Sequence, residues 1–235
     1  MPQAAPGGGK RLVAYLVPTA EQDTAAPGSG GGGDVHEAER VREWQGVYED
    51  MYREGDQATL GEDFGGWMDS YRGSPIPRHE MREWRDRTVD RVLALRPRRI
   101  LEIGAGSGLL LARLAPHCAE YWATDFSERA VTRLAAKVRE DERIADRVRL
   151  LRREARDLSG IPLEHFDCVV INSVVQYLPS AAYLSAALRG ALHALTPGGH
   201  LFVGDVRPSG CYGSSAPAWN CGAGRPRTVP KTSPG

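Results

Sequence analysis

The chain has 235 residues, with 30 basic and 30 acidic side chains and therefore no formal net charge. That balance leaves no overall field to draw it onto nucleic acid or an anionic membrane. Its apolar runs fall far short of the roughly 18–20 residues that span a bilayer, and MPQAAPGGGKRLVAYLVP lacks the apolar core and cleavage-type ending of a signal peptide, so a soluble, cytoplasmic protein is expected.

Residues 11–17, RLVAYLV, read as a short strand ending at Pro18. Residues 20–34 are linker by composition, since glycine, serine and alanine build no core. Helical spacing returns over 35–57 through Val41, Trp44, Tyr48, Met51 and Tyr52. The aromatic, glycine-rich stretch 62–77 is irregular. A second helix is expected over 78–97, with Met81, Trp84, Val89, Val92 and Leu93 on one face and Pro97 as its stop. From 98 onward strands alternate with helices. The strands are 98–104, 120–126, 147–154, 166–173 and 199–207; the helices lie near 107–116, 127–139 and 180–194, with Ser127 as an N-cap and TPGG (196–199) as a turn. Apolar strands alternating with helices predict an α/β fold: an open, mostly parallel, Rossmann-like sheet of five strands with an N-terminal helical lid. The last 28 residues have neither a 2- nor a 3.6-residue period and read as a disordered or non-native tail. Cys118 and Cys168 read as reduced core thiols, and no cysteine or histidine has metal-ligand spacing.

Chemistry enters with LEIGAGSGLL, residues 101–110, a glycine-rich turn between a strand and a helix. In open α/β sheets ligands sit at the carboxyl ends of the strands, where strand order reverses. A dinucleotide fingerprint places its third glycine three residues after the second. Here Leu109 holds that place and the third glycine is Gly108. The G-x-G-x-G turn, with Glu102 two residues before its first glycine, suits S-adenosylmethionine (SAM), a ligand without a pyrophosphate, over NAD(P). Glu102, Gly104, Ala105, Gly106, Ser107 and Gly108 are its expected cradle. Asp125, at the end of the second core strand, is expected to accept both ribose hydroxyls, Phe126 to cover the adenine, and Glu154–Ala155 to meet the adenine edge.

Three segments carry a resemblance: RRILEIGAGSGLLLARLAPHCAEYWATDFS, FDCVVINSVVQYLPS and LTPGGHLFVGDVR are similar to class I SAM-dependent methyltransferases. With GEDFGGWMDSYRGSPIPRHEMREW upstream the resemblance narrows to the N-methyltransferase domains embedded in the adenylation domains of nonribosomal peptide synthetases. It implies 1–18 as an adenylation-domain remnant, 19–37 as a flexible linker, 38–97 as a lid segment, 98–207 as the SAM-binding core and 208–235 as the tail, with the family's closing strands missing after Arg207. It also departs from the family at Met68 and Asp69, which follow Trp67 where G-W-N-S-S-Y is usual. The implied reaction is methyl transfer from SAM to the α-amine of an aminoacyl thioester, with a carrier protein and an adenylation domain as partners and no nucleic acid, membrane or metal. Asn172 and Ser173 would then line the cofactor, Gln176 and Tyr177 would face the substrate, Gln176 as an acceptor for an amine hydrogen, and Tyr71 would lid the site; packing of Trp67 and Tyr71 on the sheet is the plain alternative. Methylation of oxygen or carbon in a small molecule, and a truncated SAM-binding fragment without activity, remain open beside the N-methyltransferase.

Overall fold

In the computed structural model, which describes residues 3–4, 10–11, 32–54, 58–69 and 72–206, the chain divides into two units, Met1–Val35 and His36–Gly235. In the first, β1 (Gln3–Ala4) pairs antiparallel with β2 (Lys10–Arg11). Most of the strand expected over 11–17, most of the linker, and the tail 208–235 lie outside the described residues. Helix α1 (Gly32–Glu54) begins at residue 32 rather than 35.

In the second unit the alternation read from the sequence becomes a parallel sheet. Its strands are β3 (Arg99–Ile103), β4 (Glu120–Asp125), β5 (Val148–Arg152), β6 (Phe166–Asn172) and β7 (Leu195–Gly204), in the order β5-β4-β3-β6-β7. Every pairing is parallel. Strand order reverses between β4 and β6, so the carboxyl end of β3 is the switch point where such sheets hold ligands. The central strands are covered on both faces. Ile100, Tyr121, Ala123, Cys168 and Val170 join one apolar cluster, and Leu101, Ile103, Trp122, Val169 and Ile171 the other. This two-sided burial is why β3 and β6 read as continuous apolar runs.

Helices α2 (Arg78–Leu93), α3 (Leu111–Leu114), α4 (Glu128–Glu140) and α5 (Ala181–Ala194) complete the unit. Ser127 caps α4 as expected, accepting the N–H of Ala130 at 3.1 Å. Ser180 caps α5 likewise, accepting from Tyr183 at 3.0 Å. The sequence differs from its structure at TPGG. Those residues lie within β7, because Phe166 pairs with Leu195 and Cys168 next with His200, leaving residues 196–199 as a bulge with Gly198 at φ 80°.

The irregular segment before α2 is lashed down by arginines. Arg85 is only 1% exposed, and its guanidinium donates to the Gly61 carbonyl (2.5 Å), Glu62 (2.8 Å) and Asp86 (2.8 Å). Arg82 pairs with Glu62 at 2.8 Å, and both Arg78 and Arg85 lie over the Phe64 ring. Burial opposes ionisation of Glu62, but the hydrogen bonds from Arg85 and Arg82 outweigh it and hold this carboxyl below the usual range. Removing Glu62 would strip one partner from a buried cation while leaving two. Glu62→Ala is therefore expected to cost about 2–3 kcal/mol in urea unfolding, against under about 1 kcal/mol for Arg82→Ala at the half-exposed partner. Equal losses would mean that the buried pair is no more than a surface ion pair.

Candidate active site

The turn that opens the site follows β3 directly. Gly104 has φ 81° and Gly106 φ 55°, the left-handed region that favours glycine. A Cβ on Gly104 would strike the Val174 side chain, and one on Gly106 would lie 2.9 Å from the Tyr52 hydroxyl. The backbone here must pass close to its neighbours, and side chains would block it.

Asp125 ends β4 beside that turn and is 5% exposed. It accepts the N–H of Gly106 at 2.8 Å and that of Ser127 at 2.9 Å. Burial pushes its carboxyl up to about 6, partly offset by those two hydrogen bonds. Glu102, in β3, accepts the Tyr121 hydroxyl at 2.7 Å. Burial pushes Glu102 up to about 8; the Tyr121 hydrogen bond pulls it back and the neighbouring Asp125 charge adds to the rise. Two buried carboxyls with separated affinities for protons thus face one cavity.

That cavity gathers most of the residues picked out from the sequence. Glu102, Gly104, Ala105, Gly106, Ser107, Asp125, Phe126, Glu154, Ala155, Asn172, Ser173 and Tyr177 all line it. The Glu154 carboxylate accepts the Tyr183 hydroxyl at 3.3 Å. The Ser107 hydroxyl donates to the Asp63 carbonyl at 2.9 Å, which ties the turn to the segment before α2.

Two expected members are elsewhere. Gly108 is not on the cavity wall; a Cβ there would run into Leu134 of α4 and the Leu60 side chain at 3.2 Å, so this glycine serves close packing. Gln176 is also off the wall. It is 6% exposed within the short 3-10 turn Val175–Tyr177, which carries Val174 and Tyr177 to the cavity and Gln176 into the interior. Tyr71 lies outside the described residues.

The sequence marks 38–97 as a lid segment but assigns no residue of α1 to the site. The face of α1 that carries Val41, Trp44, Tyr48, Met51 and Tyr52 closes the cavity. Tyr48 is the hub of an aromatic cluster, with ring centroids 5.5 Å from Tyr177, 5.8 Å from Phe126 and 5.9 Å from Tyr52; Trp44 meets Tyr177 edge-on at 4.9 Å. Burial raises the Tyr48 hydroxyl well above the usual tyrosine range, so it stays protonated. Polar contacts fix α1 outside this cluster: Gln45 donates to the Phe126 carbonyl at 3.2 Å, Glu49 accepts the N–H of Glu128 at 2.7 Å, and Arg133 donates to the Tyr52 carbonyl at 2.9 Å. The signal was present in the sequence as an aromatic stripe on an otherwise charged helix. From the next segment, Gly65, Gly66, Trp67 and Met68 add to the wall, with Trp67 packed on Trp84 at 4.7 Å.

A glycine-rich turn after the first strand of a parallel sheet, a buried acid closing the second and an aromatic roof define a Rossmann-like, nucleoside-binding domain. Residues 101–201 match the family described as "Methyltransferase domain", and this segment is a SAM-dependent methyltransferase domain. Over 210 residues, 89% of this chain, it is 44% identical to the "Probable non-canonical nonribosomal peptide synthetase (NRPS) CymA" of Salinispora arenicola. Over 204 residues it is 44% identical to the chondramide synthase cmdD of Chondromyces crocatus. It spans only 2% and 5% of the length of those two proteins. Phosphoethanolamine N-methyltransferase 1 of Haemonchus contortus has the same fold, with a TM-score of 0.55 at 18% identity over 74% of this chain and 34% of that one. No described helix is long and apolar enough to cross a membrane, and no group of three or more metal-ligating side chains occurs among the described residues.

Proposed function

We propose that the chain is the methyltransferase module of a nonribosomal peptide synthetase, and that it methylates the α-amine of an aminoacyl group held as a thioester on a carrier protein, in the cytoplasm. The reach of the sequence likeness carries this reading. A match over 89% of the chain necessarily takes in α2 and the segment before it, outside the 101–201 match shared with methyltransferase domains in general. Part of the cavity wall is drawn from there, from α1 and from Tyr177, and this is the part that would face the substrate.

The cavity fits the cofactor on the chain's own chemistry. Its glycine backbone would lie against the nucleoside and methionine parts, the Asp125 carboxylate would accept the ribose hydroxyls, Phe126 and Tyr48 would flank the adenine, and Glu154–Ala155 would meet its edge. Bound there, the cofactor supplies a methyl on sulfonium, already activated as a leaving group. The residues around it have a simpler task, which is to align the amine and exclude water. The amine must be neutral to attack; a reference α-amine has a pKa of about 8, and the neighbouring thioester carbonyl lowers it. Little general-base help is then needed. The adenylation and carrier domains of the synthetase are the partners this reading calls for.

The test supplies the chain with SAM and an aminoacyl-pantetheine thioester and locates the new methyl by mass spectrometry. The expected product is the N-methylated aminoacyl thioester. Methylation only of a hydroxyl or carbon acceptor would transfer the chain to another methyltransferase class. Cofactor binding with no turnover on any acceptor would make it a binding fragment.

A further inference from the structure

The carboxyl edge of the sheet joins Asn172 and Ser173, expected at the cofactor, to Asp205, which the sequence did not single out. Ser173 directly follows β6 and Asp205 directly follows β7, and both are non-glycine residues with positive φ, 59° and 50°. Strained backbone of this kind persists only where its surroundings over-determine it, and it gathers at functional sites. The two strand ends are held together. The Ser173 N–H donates to the Gly204 carbonyl at 3.1 Å, and a Cβ on Gly204 would run into the end of the Asn172 side chain. The side chains form a directed chain: the Asn172 amide donates to Ser173 Oγ at 3.1 Å, and the Ser173 hydroxyl donates to Asp205 Oδ2 at 2.7 Å. Asn172 and Ser173 line the cavity, whereas Asp205 is not on its wall.

A hydroxyl has one proton and two lone pairs. In Ser173 the proton is committed to Asp205 and one lone pair to Asn172. What remains for the cavity is a single lone pair, which can only accept. We infer that Asp205 is a positioning residue that locks Ser173 as an obligate hydrogen-bond acceptor at the methyl-transfer point, so that the site holds a proton-donating nucleophile, the amine of the function proposed above, with its own lone pair turned to the methyl. The inference rests on the amine-methylating function proposed above. It also accounts for charge. As the nitrogen–carbon bond forms and the carbon–sulfur bond breaks, positive charge passes from sulfur to nitrogen. The Asp205 carboxylate lies one hydroxyl away from that nitrogen, so the cation gains stabilisation where it develops. The surplus proton then leaves the product ammonium to solvent.

Sinefungin, in which an amine-bearing carbon replaces the methyl-bearing sulfonium, probes this point without turnover. It is measured against S-adenosylhomocysteine, which carries neither methyl nor amine there. The full chain is expected to prefer sinefungin by about tenfold, the scale of one charge-assisted hydrogen bond. Asp205→Asn keeps the shape and tolerates positive φ, and it should abolish that preference while the homocysteine affinity stays the same. Ser173→Ala should also abolish the preference, whatever it does to the homocysteine affinity, and the double variant should restore no preference, because the two residues act as one unit. Unchanged preference in Asp205→Asn, or no preference in the parent chain, overturns the inference and leaves the methyltransferase reading intact. Loss of both ligands in Asp205→Asn makes Asp205 a structural residue and overturns it as well. If the parent chain binds neither ligand, the cofactor site itself fails, and both readings fall.

Discussion

Asp125→Ala is expected to lower the affinity for S-adenosylhomocysteine by at least about 100-fold, or about 2.7 kcal/mol. Two losses add. The first is the proposed acceptor for the ribose hydroxyls, where each hydrogen bond to a charged group is worth roughly 1.5–3 kcal/mol. The second is the preorganised turn, because Asp125 holds the N–H of both Gly106 and Ser127. Titration calorimetry reads the effect, and a loss of less than about threefold would remove Asp125 from the site. A pH arm separates charge from shape. Burial has lifted this carboxyl to about 6 in the free protein, and the ligand needs it ionised. Affinity should therefore be level above pH 6 and fall by about tenfold per unit below it. Asp125→Asn should bind weakly at every pH, with no such break.

Local pattern is enough for the sheet. β3 and β6 announce themselves because parallel strands covered on both faces must be apolar throughout, and Gly104 and Gly106 stand out because their backbone angles admit little else. The bottom of the site is legible for the same reason: Glu102, Asp125 and Asn172 sit at strand ends that the alternation alone locates. What escapes is whatever depends on long-range docking. Trp44, Tyr48 and Tyr52 read as the inner face of a helix, and nothing local says that this face closes a cavity against Phe126 and Tyr177. Arg85 reads as one more charge on an exposed helix until Glu62 and the Gly61 carbonyl surround it. Gln176 lies off the cavity wall while Tyr177 beside it lies on it. After β6 the chain turns in 3-10 fashion, and a three-residue turn exchanges which neighbour faces inward. Asp205 carries no mark in the sequence, because its meaning depends on β7 lying beside β6.

Glu102 makes the fold less stable as pH rises, and Glu102→Gln is expected to remove that dependence. The carboxyl is 3% exposed and pushed from 4.5 to about 8, chiefly by burial. Between those values the unfolded chain has released the proton and the folded chain still holds it. The unfolded state thus binds fewer protons, and stability must fall with pH, by about 1.4 kcal/mol per unit. The contribution is complete below pH 4.5 and lost once pH passes about 8, for a total of about 4–5 kcal/mol. Asp125 slopes the same way, but its window closes near pH 6. From about pH 6 to 8 Glu102 is the one carboxyl with a resolved shift still titrating among the described residues, which sets the range for the measurement. Urea unfolding across that range should lose about 2–3 kcal/mol in the parent chain and stay nearly level in Glu102→Gln, whose amide oxygen still accepts from Tyr121 but cannot ionise. Parallel curves would mean that water reaches Glu102 and that it ionises as an ordinary carboxylate. A difference that keeps widening from pH 6 to 8 would locate a neutral carboxylic acid at the floor of the cavity, able to donate a hydrogen bond there at physiological pH while Asp125, ionised on the same wall, can only accept.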